Sequence, residues 1–80
     1  MVQLCWEMAL PNESDVILAF GQKVRAIRKE KKFSMQYLAN MADIEISQIY
    51  RIETGKINPK LSTIIFIARA LEVSPAVFFQ

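Results

Sequence analysis

Residues 33–55 constrain the fold of this chain more tightly than any other stretch. Ser34 is a favoured helix N-cap residue, and Phe33 before it and Leu38 after it have the spacing of a hydrophobic staple across a helix start. The pattern then repeats, with Ile44 and Ile49 bracketing a second start near Glu45. Asp43 is left for the connection, and Asp enters the left-handed backbone region more readily than most residues. Gly55 closes the second helix. The stretch predicts two short helices joined by a tight turn, with Leu38, Ala39, Ala42, Ile49 and Ile52 facing inward.

The rest of the chain supplies helices for this pair to pack against. Pro11-Asn-Glu-Ser-Asp15 offers N-caps, and Ile17, Phe20, Val24 and Ile27 recur at helical spacing, so helix 1 is expected over about residues 15–31. Gly21 within it costs about 1 kcal/mol relative to Ala, which marks a close approach by another helix. Helix 2 starts at Ser34, helix 3 covers about residues 45–54, and residues 56–60 form a loop. Ser62 is expected to cap helix 4, with Ile64, Ile67, Ala68 and Leu71 as its buried stripe. Ser74-Pro75 joins an N-cap to Pro at a first helical position and predicts a short helix 5. The expectation is an all-α, five-helix domain over residues 15–80. Residues 1–14 stand apart, because Val2, Leu4, Trp6, Met8 and Leu10 alternate with Gln3, Cys5, Glu7 and Ala9 at the period of a strand. A lone strand leaves its backbone unpaired. Three readings stay open: antiparallel pairing with a second copy, a disordered tail, or an added turn on helix 1.

Eighty residues make one small domain with little room for an enclosed active site. There is no His to act as the usual general base, and Cys5 alone offers neither a nucleophile pair nor a zinc site. Gly21 and Gly55 are isolated, so no loop cradles a phosphate. Catalysis, a cofactor and a small-molecule ligand are not expected. No apolar run reaches the roughly 20 residues that span a bilayer, and Glu7 interrupts the one stretch that could serve as a signal peptide. A single cysteine fits a reducing, cytoplasmic setting. Net charge is only +2, but Lys23, Arg25, Arg28, Lys29, Lys31 and Lys32 crowd together against one acid, Glu30. That cluster suits a phosphate-facing edge or an ordinary solvated helix face, and charge alone does not separate the two.

Once Ile49 and Ile52 are assigned to the core, Glu45, Ile46, Ser47, Gln48, Tyr50 and Arg51 remain outward on helix 3. Ser47 and Arg51, at i and i+4, share a face, with Ile46 and Gln48 beside them. Such side chains suit base edges. Arg forks onto guanine O6 and N7, Gln pairs with adenine, Ser accepts several edges, and an apolar group meets the thymine methyl. Paired helices of this size commonly place the second in the DNA major groove. The competing reading is a merely solvated outer face, which has little use for exposed Ile46 and Tyr50.

Five short words complete the pattern: Phe20-Gly-Gln-Lys-Val-Arg-Ala-Ile-Arg28, Ser34-x-x-x-Leu-Ala39, Ile49-x-Arg-Ile-Glu-x-Gly55, Asn58-Pro59 and Ile67-Ala-x-Ala-Leu71-x-Val-Ser74. Together they make residues 20–78 resemble the Cro/phage-repressor-like, XRE-type helix-turn-helix family. The resemblance implies a lambda-repressor-like domain that binds a two-half-site operator in double-stranded DNA as a homodimer and regulates transcription, chiefly by repression. Carried over by position, base contacts fall to Ile46, Ser47, Gln48 and Arg51. Phosphate contacts fall to Ser34, Met35, Thr54, Lys56, Asn58 and Lys60. Arg28 and Glu53 form a structural ion pair. The chain departs from the family at Met35, where Gln is usual, and at Lys32 and Asp43, where Gly is usual. A non-Gly residue in the left-handed conformation costs roughly 1–2 kcal/mol, so the turn at Lys32 is expected to differ. Ile46 replaces a residue that is commonly polar, which points to thymine methyl readout or to a protein contact.

Phe66, often polar in the family, joins Ile57, Ile65, Val77 and Phe79 in more apolar surface than a small monomer readily buries. Trp6, Phe66, Val77 and Phe79 are the expected dimer interface, with half-sites about 34 Å apart, one turn of DNA. The alternative function is a protein-interaction module on the same fold, of antitoxin or anti-repressor type, for which Met35, Ile46 and Tyr50 speak.

Overall fold

The computed structural model describes residues 12–79, and the regular structure there is entirely helical. In chain order the elements are α1 (Glu13–Glu30), α2 (Met35–Ala42), α3 (Ile46–Glu53), α4 (Leu61–Leu71) and a 3₁₀ turn (Pro75–Phe79). The strand reading of residues 2–10 and the interface role of Trp6 lie outside the described residues.

Local chemistry sets most of the starts. α1 begins at Glu13, before the expected position, because the Asn12 side chain accepts the Asp15 amide at 2.9 Å. Acids in its first turn and Arg28 and Lys29 in its last suit the helix dipole. Ser34 caps α2 by accepting the Tyr37 amide at 3.0 Å, whereas Glu45 precedes α3 with no side-chain cap bond. The expected start of α4 at Ser62 is corrected to Lys60. The backbone at Lys60 is extended (φ −69, ψ 155), and its carbonyl already accepts the Ile64 amide at 3.1 Å, so Ser62 falls inside the first turn. The expected short helix 5 is present as a 3₁₀ turn opened by the Val77 amide on the Ser74 carbonyl at 3.0 Å, the shorter i to i+3 ring that suits so brief a segment.

The α-helices α1 to α4 end alike. The next residues enter the left-handed region at Lys32 (φ 62), Asp43 (φ 60), Gly55 (φ 73) and Glu72 (φ 61). Each is followed by an amide that reaches five residues back: Phe33 to Arg28, Ile44 to Ala39, Lys56 to Arg51 and Val73 to Ala68, at 2.8–3.0 Å. The Lys32 turn therefore keeps the geometry expected of Gly, contrary to the sequence expectation. Phe33, Ile44 and Val73, the residues after the three non-Gly positions, all pack against the core, and that anchoring outweighs the backbone cost.

Val24, Leu38, Ile49, Ile52, Ile67 and Leu71 are the largest fully buried side chains. The 3₁₀ turn closes one end by setting Phe78 edge-on to Phe20, ring centroids 5.1 Å apart. α1 lies directly on α3: a Cβ on Gly21 would run into the Ile52 carbonyl oxygen and sit 3.1 Å from the Glu53 carbonyl. α2 packs on both α3 and α4.

Candidate nucleic-acid interface

The candidate site is built on α3. The inner face of this helix is Ile49, Ile52 and Glu53, all buried. Glu53 is engaged from α1 by a bidentate pair: Arg28 Nε donates to one carboxylate oxygen at 2.7 Å and Nη2 to the other at 3.0 Å. Arg28 Nη1 also donates to the Phe33 carbonyl at 2.8 Å. One guanidinium thus ties α3, the end of α1 and the approach to α2 together, and Arg28 is not free for a phosphate.

With that face fixed, the helical turn of about 100° per residue places the others. Ser47 and Arg51 fall within about 40° of one another, opposite the buried residues, and both are exposed. Ile46 and Tyr50 form one flank, 42% and 50% exposed. Gln48 lies on the other flank and is half-buried. Tyr50, left out of the expected base contacts, belongs to the same open surface, and its place beside Ile46 is readable from spacing alone.

The expected phosphate ligands differ in how free they are. At the start of α2, Ser34 Oγ takes the Tyr37 amide, and the amides of Met35 and Gln36 remain outside any helical bond, the ordinary state of a first helical turn. The Met35 side chain packs against the core. Thr54 donates its hydroxyl to the Tyr50 carbonyl at 2.7 Å. The Asn58 side-chain amide donates to Glu13 at 3.4 Å, which sets an acid beside it. Lys56 and Lys60 are exposed and make no ion pair among the described residues.

The expected interface residues that are described, Phe66, Val77 and Phe79, sit in different surroundings. Phe79 is 66% exposed and stacks on Phe20 of α1, centroids 6.2 Å apart. Val77 is half-buried against the core. Phe66 instead lines a groove of about 360 Å³ with Met41, Ala42, Asp43, Arg69 and Ala70, between the end of α2 and α4. Met41 was missed at the sequence level. Its signal is an apolar residue off the inward period of Leu38, Ala39 and Ala42, and it is 56% exposed.

The helix-turn-helix family model matches residues 24–78. The immunity repressor protein of Bacillus phage phi105 is 39% identical over 56 residues, 70% of this chain and 39% of that protein, so the chain spans about two-fifths of the repressor's length. Control protein C.BamHI of Bacillus amyloliquefaciens is 41% identical over 63 residues, 78% of each chain. Among solved structures, the restriction-modification controller protein C.AhdI of Aeromonas hydrophila matches with a TM-score of 0.78 at 32% identity, covering 79% of this chain and 96% of that one. The family model covers more than half of the chain and the relatives match it in sequence and fold, so the chain belongs to the XRE-type helix-turn-helix family.

Proposed function

We propose that the domain binds a two-half-site operator in double-stranded DNA as a homodimer, lays α3 in the major groove and represses transcription. The observation that carries the reading is the outer face of α3, where Ile46, Ser47, Tyr50 and Arg51 stand exposed on a helix held from behind by Ile49, Ile52 and Glu53. A rigid helix with free Arg and Ser side chains meets the geometric demand of base readout. Arg51 takes a guanine edge, Ser47 and Gln48 its neighbours, and Ile46 a thymine methyl. The Met35 and Gln36 amides and Lys56 and Lys60 hold phosphates, since helix N-termini and cations both favour anions. Thr54 and Asn58 contribute only if they exchange their present partners. The names of the relatives, a phage immunity repressor and two controller proteins, support regulation of transcription as the outcome. Phe79 with the 3₁₀ turn and Phe66 on α4 offer apolar surface for the second copy.

Selection of bound duplexes from a random pool tests this reading. The expected product is a palindrome with half-site centres about 34 Å apart. A pool with no enriched sequence rejects it. Exposed Ile46, Tyr50 and Met41 favour the second reading, a protein-interaction module. No retention of the domain on random duplex at low salt selects that alternative.

A further inference from the structure

The basic segment of α1 is not accounted for by the α3 site. Arg28 is engaged by Glu53, and Lys23 and Lys31 are half-buried, which leaves Arg25, Lys29 and Lys32 exposed. None of these three joins an ion pair among the described residues, where Arg28–Glu53 is the one salt bridge.

Their placement follows from helical spacing. Leu18, Gln22, Arg25 and Lys29 succeed one another at i+4, i+3 and i+4, so they form one strip along α1. One end of the strip touches the end of α3: a Cβ on Gly55 would meet Leu18 at 3.0 Å, and nearby Gly21 abuts Ile52 and Glu53. The other end runs into Lys32, just ahead of the Ser34 cap of α2. The strip therefore joins the two regions that offer phosphate ligands, the α3 exit with Lys56 and the start of α2. The helix dipole accounts for a cation in the last turn, such as Lys29, but its effect fades before Arg25.

We infer that Arg25, Lys29 and Lys32 form a second contact edge that follows the sugar–phosphate backbone of the duplex beside α3. The inference rests on α3 being the DNA-facing helix. The occupant is a polyanion by charge complementarity: three solvated cations in a row, with no acid among the described residues paired to them. The edge reads no bases, so it adds affinity without specificity.

The test compares wild type with R25Q/K29Q/K32Q on the selected operator across a range of salt. The slope of log affinity against log salt is expected to fall by about 0.9 for each phosphate no longer neutralised, or about 2.7 for three. A fourfold rise in salt then weakens wild type roughly 40-fold more than the variant. Base preference stays where it was, and the thermal midpoint falls by no more than a few degrees, from the loss of Lys29 at the helix dipole. An unchanged slope, with wild-type binding intact, overturns the edge and leaves the α3 site standing. Wild type that binds no duplex overturns both. Lys32→Gly is a second arm that the fold tolerates, because Gly adopts the positive φ freely. It is expected to be more stable than wild type and yet to bind DNA more weakly, with a slope lower by about 0.9. Greater stability with an unchanged slope removes Lys32 from the edge.

Discussion

Glu53→Ala tests the tie that orients α3. Arg28 and Glu53 are 6% and 5% exposed, so neither charge can turn to water when its partner is removed. Glu53→Ala takes from Arg28 the bonds at 2.7 and 3.0 Å and leaves only the Phe33 carbonyl at 2.8 Å. Breaking a buried pair from one side costs about 3–5 kcal/mol, mostly as the penalty of an unpaired buried charge. A domain of this size has roughly 4–12 kcal/mol of stability in all, at about 0.05–0.15 kcal/mol per residue. The single substitution therefore removes a large part of the stability. R28M/E53L takes away both charges and keeps the volume, and replacements of that kind fall between neutral and about 4 kcal/mol stabilising.

The assay is urea unfolding followed by circular dichroism for wild type, Glu53→Ala, Arg28→Met and the double variant, with free energies taken from midpoint and slope. The signature is non-additivity: each single variant is far less stable than the double. Glu53→Ala within about 1 kcal/mol of wild type would refute the account, since an exposed pair behaves that way. A double variant as unstable as the worse single would also refute it, because the cost would then lie in poorer packing rather than in stranded charge.

Gly21→Ala is expected to destabilise by about 1–3 kcal/mol in the same assay, despite up to about 1 kcal/mol of improved helix propensity, because the new methyl meets backbone carbonyls at the end of α3 rather than a movable side chain. Glu72→Gly should stabilise by roughly 0.5–1 kcal/mol: relief of about 1–2 kcal/mol at φ 61 is offset in part by the entropy of Gly in the unfolded chain. A differential-scanning midpoint raised by a few degrees checks it, and a lowered midpoint counts against the strain. Arg51→Ala should weaken binding to the selected operator by about 1–3 kcal/mol and relax preference at one base pair, while stability stays within about 0.5 kcal/mol. An unchanged preference would remove Arg51 from the base-reading set.

The helix pair was legible because its signals are local and redundant. Phe33 with Leu38 and Ile44 with Ile49 each specify a start twice over, through a staple and through the inward period. Ser62 misled for the opposite reason. A side-chain cap is worth only about 1 kcal/mol, and the extended backbone at Lys60 had already set the start. Ser74-Pro75 marks where a helical segment begins but not which ring its bonds will close. At Lys32 the local penalty pointed away from the observed turn. The deciding contribution was the core packing of Phe33, a tertiary effect that no local rule contains. At the candidate site, helical spacing already shows which side chains share a face. It does not show that the Thr54 hydroxyl is held by Tyr50 or that Asn58 sits beside Glu13, because those depend on rotamers and on a contact between distant segments.

On the proposed function, that division has a physical consequence for how the domain would change its target. The residues that hold α3 are Ile49, Ile52 and Glu53, fixed by core packing and by Arg28. The residues it presents are Ile46, Ser47, Tyr50 and Arg51, exposed; the carbonyls of Tyr50 and Arg51 accept bonds from Thr54 and Lys56, while none of the four side chains is hydrogen-bonded among the described residues. Surface substitutions away from special contacts change stability little, so the outer set can vary without loosening the inner one. Gln48 is the exception, since it is half-buried at the boundary of the two faces. A change there alters packing and presented surface together, so under the proposed DNA-binding reading Gln48 is the position where recognition and folding would be coupled.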